Sequence, residues 1–263
     1  MKIPLRNKVI QASLVTLVCL AAIGAVVFLK TAYVVPVMMY HSVDEKERIT
    51  KLSVAPDNFE SQVEFFHKNR YNVVGLDKIV GYIEKKEKIP PRTVAITFDD
   101  GYYNNYKYAF PVLRKYRLPA TIFMITGKIG RDGWCGWKEL KEMSDSGLIT
   151  IGSHTRSHKW LPSLGTKELK EELAVSKAML EKGLGKRIDY LCYPAGAHND
   201  RVKRMAKEAG YLAAVGTNPG RKSRPDDIYA IKRVKISRTS RNHFVLWFET
   251  SGYYTWVKEH RDD

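Results

Sequence analysis

Val94-Ala95-Ile96-Thr97-Phe98-Asp99-Asp100-Gly101-Tyr102 is the stretch on which the reading of this chain turns. The apolar run Val94 to Ile96 reads as a buried strand. Where that strand should end, two carboxylates stand side by side and a glycine turns the chain. Adjacent Asp side chains repel one another unless a positive group lies beside or between them. A strand-ending Asp-Gly turn accounts for the glycine alone. The rest of the chain must distinguish that turn from a site.

Working outward, strand-like runs alternate with helical patterns. Upstream lie a strand over 34–40 ending in His41-Ser42, a helix over 56–69 with Phe59, Val63 and Phe66 on one face, a short strand over 71–74 and a helix over 76–86. Downstream, a helix covers 102–116, and Pro111 should kink it or begin a new turn. Strands follow over 120–125, 148–152, 188–193, 212–215 and 229–236. Helices cover 137–146, 200–209 and 242–248, with a long one capped by Thr166. This alternation predicts an α/β fold with a parallel sheet or a (β/α) barrel. The chemically distinctive groups fall at strand ends: His41, Asp99-Asp100, His154 and Tyr193-Pro194-Ala195-Gly196. In a parallel barrel all of these open onto one mouth.

His154-Thr155-Arg156-Ser157-His158 is the second informative element. Imidazoles four apart face the same way on a helical turn and can clasp a metal. Alone, the pair reads equally as two surface histidines beside an arginine. Joined to a strand-end Asp pair, it becomes a set of two nitrogens and one carboxylate oxygen. Such a set leaves coordination positions open for water and substrate. The second aspartate is then available to take a proton from that water.

The 263 residues suit one large α/β domain. The formal net charge is +16; residues 1–30 hold four of the cations and no acid, so the remainder carries +12. A basic surface of this size favours anionic partners such as phosphate-rich wall polymers or lipid headgroups. Nucleic acid is excluded as the expected partner, because no zinc-finger, helix-turn-helix or RNA-binding aromatic motif is present. The three cysteines (Cys19, Cys135, Cys192) form no CxxC pair. Cys135 and Cys192 read either as a disulfide or as two free thiols.

Val9 to Leu29 holds 21 uncharged residues, about 32 Å as a helix, enough to cross a bilayer core. Lys2, Arg6 and Lys8 precede it and place the N-terminus in the cytoplasm. The expected organisation is a cytoplasmic tip and transmembrane anchor over 1–33, followed by an extracytoplasmic domain over 34–263. A cleaved signal peptide, giving a secreted protein, is the alternative.

Thr97-Phe98-Asp99-Asp100-Gly101 together with His154-Thr155-Arg156-Ser157-His158 resembles the first two motifs of the polysaccharide deacetylases, carbohydrate esterase family 4. The resemblance spans about residues 34–236. It implies a distorted (β/α) barrel of about seven parallel strands and a divalent metal, with zinc expected. The implied reaction is hydrolysis of N-acetyl groups on N-acetylglucosamine-type units of an extracellular or cell-wall polysaccharide. Carried over, Asp99 is the general base, and Asp100, His154 and His158 are the metal ligands. Tyr193 matches the third motif, its backbone N–H holding the oxyanion; Pro194 and Gly196 of the same turn, and Tyr102, are expected against substrate. Two departures stand out. Leu191-Cys192 occupies the place of the motif-three arginine, and Arg233 is the candidate replacement from another strand. The usual C-terminal Leu-His-Asp is also absent, and His41 is the candidate catalytic acid, as in a permuted subset that includes poly-N-acetylglucosamine deacetylases. A non-catalytic glycan-binding module and an esterase of O-acetylated glycans are the competing functions.

Overall fold

The computed structural model describes residues 5–45, 52–217 and 226–261; Lys2 lies outside them. Helix α1 (Leu5–Ala32) delivers the chain to strand β1 (Val37–Tyr40). Then come β2 (Ser42–Val43), β3 (Ser53–Val54), α2 (Pro56–Lys68), β4 (Asn72–Val73), α3 (Leu76–Glu84) and β5 (Thr93–Phe98). A π-helical turn (Asn105–Ala109) leads into α4 (Phe110–Tyr116), and Pro111 sits in that helix's first turn, where its missing N–H is harmless. Next come β6 (Ala120–Met124), α5 (Trp137–Asp145), β7 (Ile149–Ser153), α6 (Thr166–Lys170), α7 (Ser176–Leu184), β8 (Tyr190–Cys192), α8 (Asp200–Glu208) and β9 (Ala213–Val215). Strand β10 (Val234–Lys235), α9 (His243–Glu249) and α10 (Tyr254–Arg261) complete the chain.

Seven parallel strands run in the order β10-β1-β5-β6-β7-β8-β9, and β4 pairs with the start of β5. Met38 pairs with Val234 on one side and with Ile96 on the other. A single bridge between Val215 and Ile231 joins β9 to the segment that leads into β10, so the sheet curls into the expected distorted barrel. Strand periodicity then sorts the core. Val37, Ala95, Phe123, Cys192, Val215 and Ile231 pack together in one cluster. Met38, Ile96, Phe98, Ile122 and Met124 belong to a second, with the helices. Strands β5 and β6, buried on both faces, are mostly apolar as parallel sheets favour, with Thr93, Thr97 and Thr121 as buried polar positions.

Two local expectations are corrected. Thr166 is not a cap: the helix begins on it, Gly165 holds the N-cap position, and no side chain caps the end. The long helix is also interrupted, because a π-helical turn (Glu171–Val175) separates α6 from α7. No periodicity foreshadowed α10. Within α1, Ser13–Ala32 is long and apolar enough to cross a membrane.

Glu249 is buried on α9, with Oε2 lacking a hydrogen-bond partner among the described residues. Burial pushes its carboxyl up to about 7, against the opposing hydrogen bond from Ser240. Between the ordinary value of 4.5 and about 7 the folded chain holds a proton that the unfolded chain has released. Stability from this group therefore falls as pH rises through that window. Glu249→Gln should flatten that loss, gaining about 1–3 kcal/mol on wild type between pH 5 and pH 8. Thermal denaturation of both proteins at the two pH values checks this, and parallel curves contradict it.

Candidate functional site

Asp99 follows β5 directly and is 2% exposed. Arg233, on the segment that closes the barrel, is 1% exposed and meets it with both arms: Nη1 to Oδ1 and Nη2 to Oδ2, each at 2.7 Å. Nη1 also donates to Thr97 Oγ1, and Nε to the Gly216 carbonyl. Burial alone would raise the Asp99 carboxyl; the Arg233 charge and its hydrogen bonds reverse this and hold it well below the usual carboxylate range. The positive group that the Asp-Asp pair demanded is thus a residue 134 positions away.

Asp100 turns outward because its backbone is left-handed (φ 71°), and Gly101 continues that turn (φ 76°). A Cβ on Gly101 would collide with the Met124 sulfur, so this position requires glycine. Asp100 Oδ1 lies 3.6 Å from His154 Nε2 and 3.9 Å from His158 Nε2. His154 uses Nδ1 on the Cys192 carbonyl at 2.9 Å, which leaves Nε2 facing Asp100. Burial pulls its imidazole down, towards the neutral form that ligates. One oxygen and two imidazole nitrogens, all within 4.8 Å of one another, fit a divalent ion of the zinc type. Asp99, His154 and Cys192 form a second such group. It suits a metal less well, because both Asp99 oxygens are already taken by Arg233.

The two histidines are not on a helical turn, as their spacing suggested. Residues 154–160 form a loop in which Thr155 (φ 62°) and His158 (φ 61°) are left-handed. Glu172, 4% exposed in the π-helical turn, holds this loop. Its Oε2 accepts the Arg156 and Ser157 N–H groups at 3.0 and 2.8 Å, and Oε1 accepts the Ser157 hydroxyl. The His158 N–H donates to Thr155 Oγ1 at 3.1 Å. Glu172 was not legible beforehand, since its regular α-helical spacing gave no sign of the bulge that turns it inward.

His41 follows β1, its Nε2 3.8 Å from Asp99 Oδ2 and its Nδ1 buried without a partner among the described residues. Cys192 lies between the elements, its sulfur accepting Arg233 Nη2 at 3.0 Å; burial pushes its thiol well above the ordinary value. Cys19, Cys135 and Cys192 are all free, so the disulfide reading fails.

The third-motif turn differs from expectation. The Tyr193 N–H donates to the Val215 carbonyl at 3.0 Å, and its hydroxyl donates to the Tyr229 carbonyl. It is committed to the sheet and is not available for an oxyanion. Pro194 and Gly196 are buried and shape the turn rather than face the mouth. The residue this turn offers to solvent is Ala195, exposed and left-handed (φ 50°), whose N–H finds no acceptor among the described residues. Tyr102 is half-buried against Trp134, and its hydroxyl is pushed up to about 12 by burial and by the neighbouring Asp100 carboxylate.

Two outcomes follow from this geometry. Arg233→Met strands a buried carboxylate and should cost about 3–5 kcal/mol in urea denaturation, with part recovered when Asp99→Asn is added. Glu172→Gln should leave folding near wild type but weaken zinc binding by calorimetry about 10-fold or more. Unchanged zinc affinity would remove Glu172 from this role.

A family model described as polysaccharide deacetylase matches residues 86–214. The Bacillus subtilis (strain 168) protein YxkH, named for the same family, is 35% identical over 202 residues, covering 77% of this chain and 71% of that one. The poly-beta-1,6-N-acetyl-D-glucosamine N-deacetylase of Staphylococcus aureus is 31% identical over 215 residues, covering 76% of this chain and 73% of that one. Among solved structures, IcaB from Ammonifex degensii superposes with a TM-score of 0.72 at 27% identity, over 82% of this chain and 97% of its own. The Streptococcus pyogenes deacetylase PplD in complex with acetate superposes at 0.71 and 28% identity, over 78% and 92%. With this identity and coverage, and with the same motifs converging at the barrel mouth, the chain belongs to the polysaccharide deacetylase family.

Proposed function

We propose that this enzyme is a metal-dependent N-deacetylase of an extracytoplasmic polysaccharide built of N-acetylglucosamine-type units. The observation that carries the reading is the outward set Asp100, His154 and His158 beside the inward pair Asp99–Arg233 at one barrel mouth. Asp100, His154 and His158 would hold the ion. When bound, it would polarise the amide carbonyl and make water a stronger acid.

The chain's own groups then divide the proton work. Arg233 keeps Asp99 ionised and aimed, so that it accepts a proton as water attacks the acetyl carbon. The exposed Ala195 N–H, in place of Tyr193, would steady the negative oxygen of the tetrahedral intermediate; one such donor is typically worth about 3 kcal/mol. His41, on the far side of Asp99, would as imidazolium protonate the departing nitrogen. The C–N bond breaks, acetate leaves, and the sugar keeps a free amine. The lack of a motif-three arginine favoured a non-catalytic glycan-binding module; Arg233 supplies that charge, so the motive for that reading is gone.

The reading extends to the whole chain. Residues 1–33 form the cytoplasmic tip and membrane anchor, and 34–263 the deacetylase domain. The basic residues before the apolar span support an outside domain. Its +12 charge supports attraction to anionic wall polymers.

Acetate release from acetylated glucosamine oligomers, poly-N-acetylglucosamine and peptidoglycan fragments tests the reaction. Chelation should abolish it and zinc should restore it. Asp99→Asn and His41→Ala should each lower kcat by about 100-fold or more. Release from acetylxylan or aryl acetates alone would assign the esterase instead.

A further inference from the structure

The apolar helix α1 does not leave the barrel as a bare stalk. Its end lies against the C-terminal helices: Phe28 meets Trp256 edge-on at 4.9 Å, and Tyr33 meets Tyr253 at 5.8 Å. The Val34 N–H donates to the Gly252 carbonyl at 2.8 Å. Because α1 runs into the start of β1, it joins the barrel at the strands' N-terminal ends, opposite the mouth. Here a groove of about 1440 Å³ opens between α1 and the barrel floor. Its apolar lining includes Val26 and Leu29 from α1, Ile83 and Ile89 from α3 and the turn after it, and Trp247 and Phe248 from α9.

Two features of this groove are out of place on a surface that meets only water. Trp247 is 51% exposed, and its ring lies 5.7 Å from that of Phe244, itself 73% exposed. Around it stand Lys30, Lys86, Lys88 and Arg92, against Glu87 and Asp226. An exposed tryptophan beside a ring of cations, flush with the end of an apolar helix, matches the chemistry of the headgroup layer. There an indole is wetted at one edge and cations meet lipid phosphates.

We infer that this floor rests on the anionic outer leaflet of the membrane, with Trp247 at headgroup depth and the basic rim on lipid phosphates. The docked floor holds the catalytic mouth pointing away from the bilayer, towards polymer in the wall rather than sugars at the membrane surface. The inference rests on the reading of α1 as a retained anchor. Charge selects this occupant: a neutral glycan would not use the cations, and a second copy would bring the same cations against themselves.

The test uses the full chain in phosphatidylcholine vesicles with and without phosphatidylglycerol, containing brominated lipid. Of the five tryptophans, only Trp247 is kept in one protein and only Trp160, just beyond His158 at the mouth, in another. Quenching of Trp247 should exceed that of Trp160 several-fold and rise with phosphatidylglycerol. Lys86→Glu with Lys88→Glu and Arg92→Glu should remove that rise. A protein that floats with vesicles while Trp247 stays unquenched, or is quenched no more than Trp160, overturns the docking and leaves the anchor standing. Failure to float overturns both. The unsubstituted chain gives a second measure: hydrogen exchange should slow at 83–92 and 243–249 with phosphatidylglycerol, and not at 156–164. No difference, or protection that depends on protein concentration as a second copy would cause, overturns the docking.

Discussion

Inside the barrel, beneath the mouth, Arg233 grips Asp99 through two parallel hydrogen bonds of 2.7 Å, and both groups are almost wholly out of water. Neither charge would be tolerated there alone, since an unpaired buried ion costs several kcal/mol. The pair also links distant parts of the chain. Arg233 lies between Ile231, which bridges to β9, and Val234, which pairs with β1. Closing the barrel and charging the site are therefore one event: the segment that completes the sheet also carries the guanidinium to Asp99. This arrangement lets two adjacent carboxylates differ in role. One is neutralised from within by arginine, and the other faces outward towards two imidazoles.

The outward half depends on backbone held in an uncommon conformation. Of the eight non-glycine residues with positive φ among the described residues, four line this mouth: Asp100, Thr155, His158 and Ala195. Left-handed backbone at such residues costs on the order of 1 kcal/mol each and persists only where surroundings enforce it. The enforcement is visible. Glu172 takes two N–H groups and a hydroxyl of the histidine loop, while Thr126 and Gly127 N–H groups hold its carbonyls. The π-helical turn that breaks the helix after α6 presents Glu172 to that loop, in keeping with the way such bulges gather at functional sites.

The same topology separates the ends of the molecule by task. Strand C-termini carry His41, Asp99, His154 and the 193–196 turn, while strand N-termini meet the apolar helix and the aromatic C-terminal helices. A parallel barrel does this automatically, because every strand begins at one end and finishes at the other.

By itself the sequence determined the alternation of strands and helices, the apolar N-terminal span and the placement of polar residues at strand ends. These follow from local periodicity and from residue types that leave a mark over a few positions. It also set the Asp99-Asp100 and His154–His158 pairs apart as a site, because both motifs are short and contiguous. Arg233 was the sequence's candidate for the cation that answers Asp99, but only the tertiary structure decided it, since nothing near Arg233 in the chain marks it as a partner. Folding likewise revealed that the Tyr193 N–H is spent on Val215 while Ala195 faces outward, and that Glu172 shapes the histidine loop. Each of these is a hydrogen-bond or charge pairing between remote segments. Local pattern cannot encode such pairings, because they exist only once the barrel has closed.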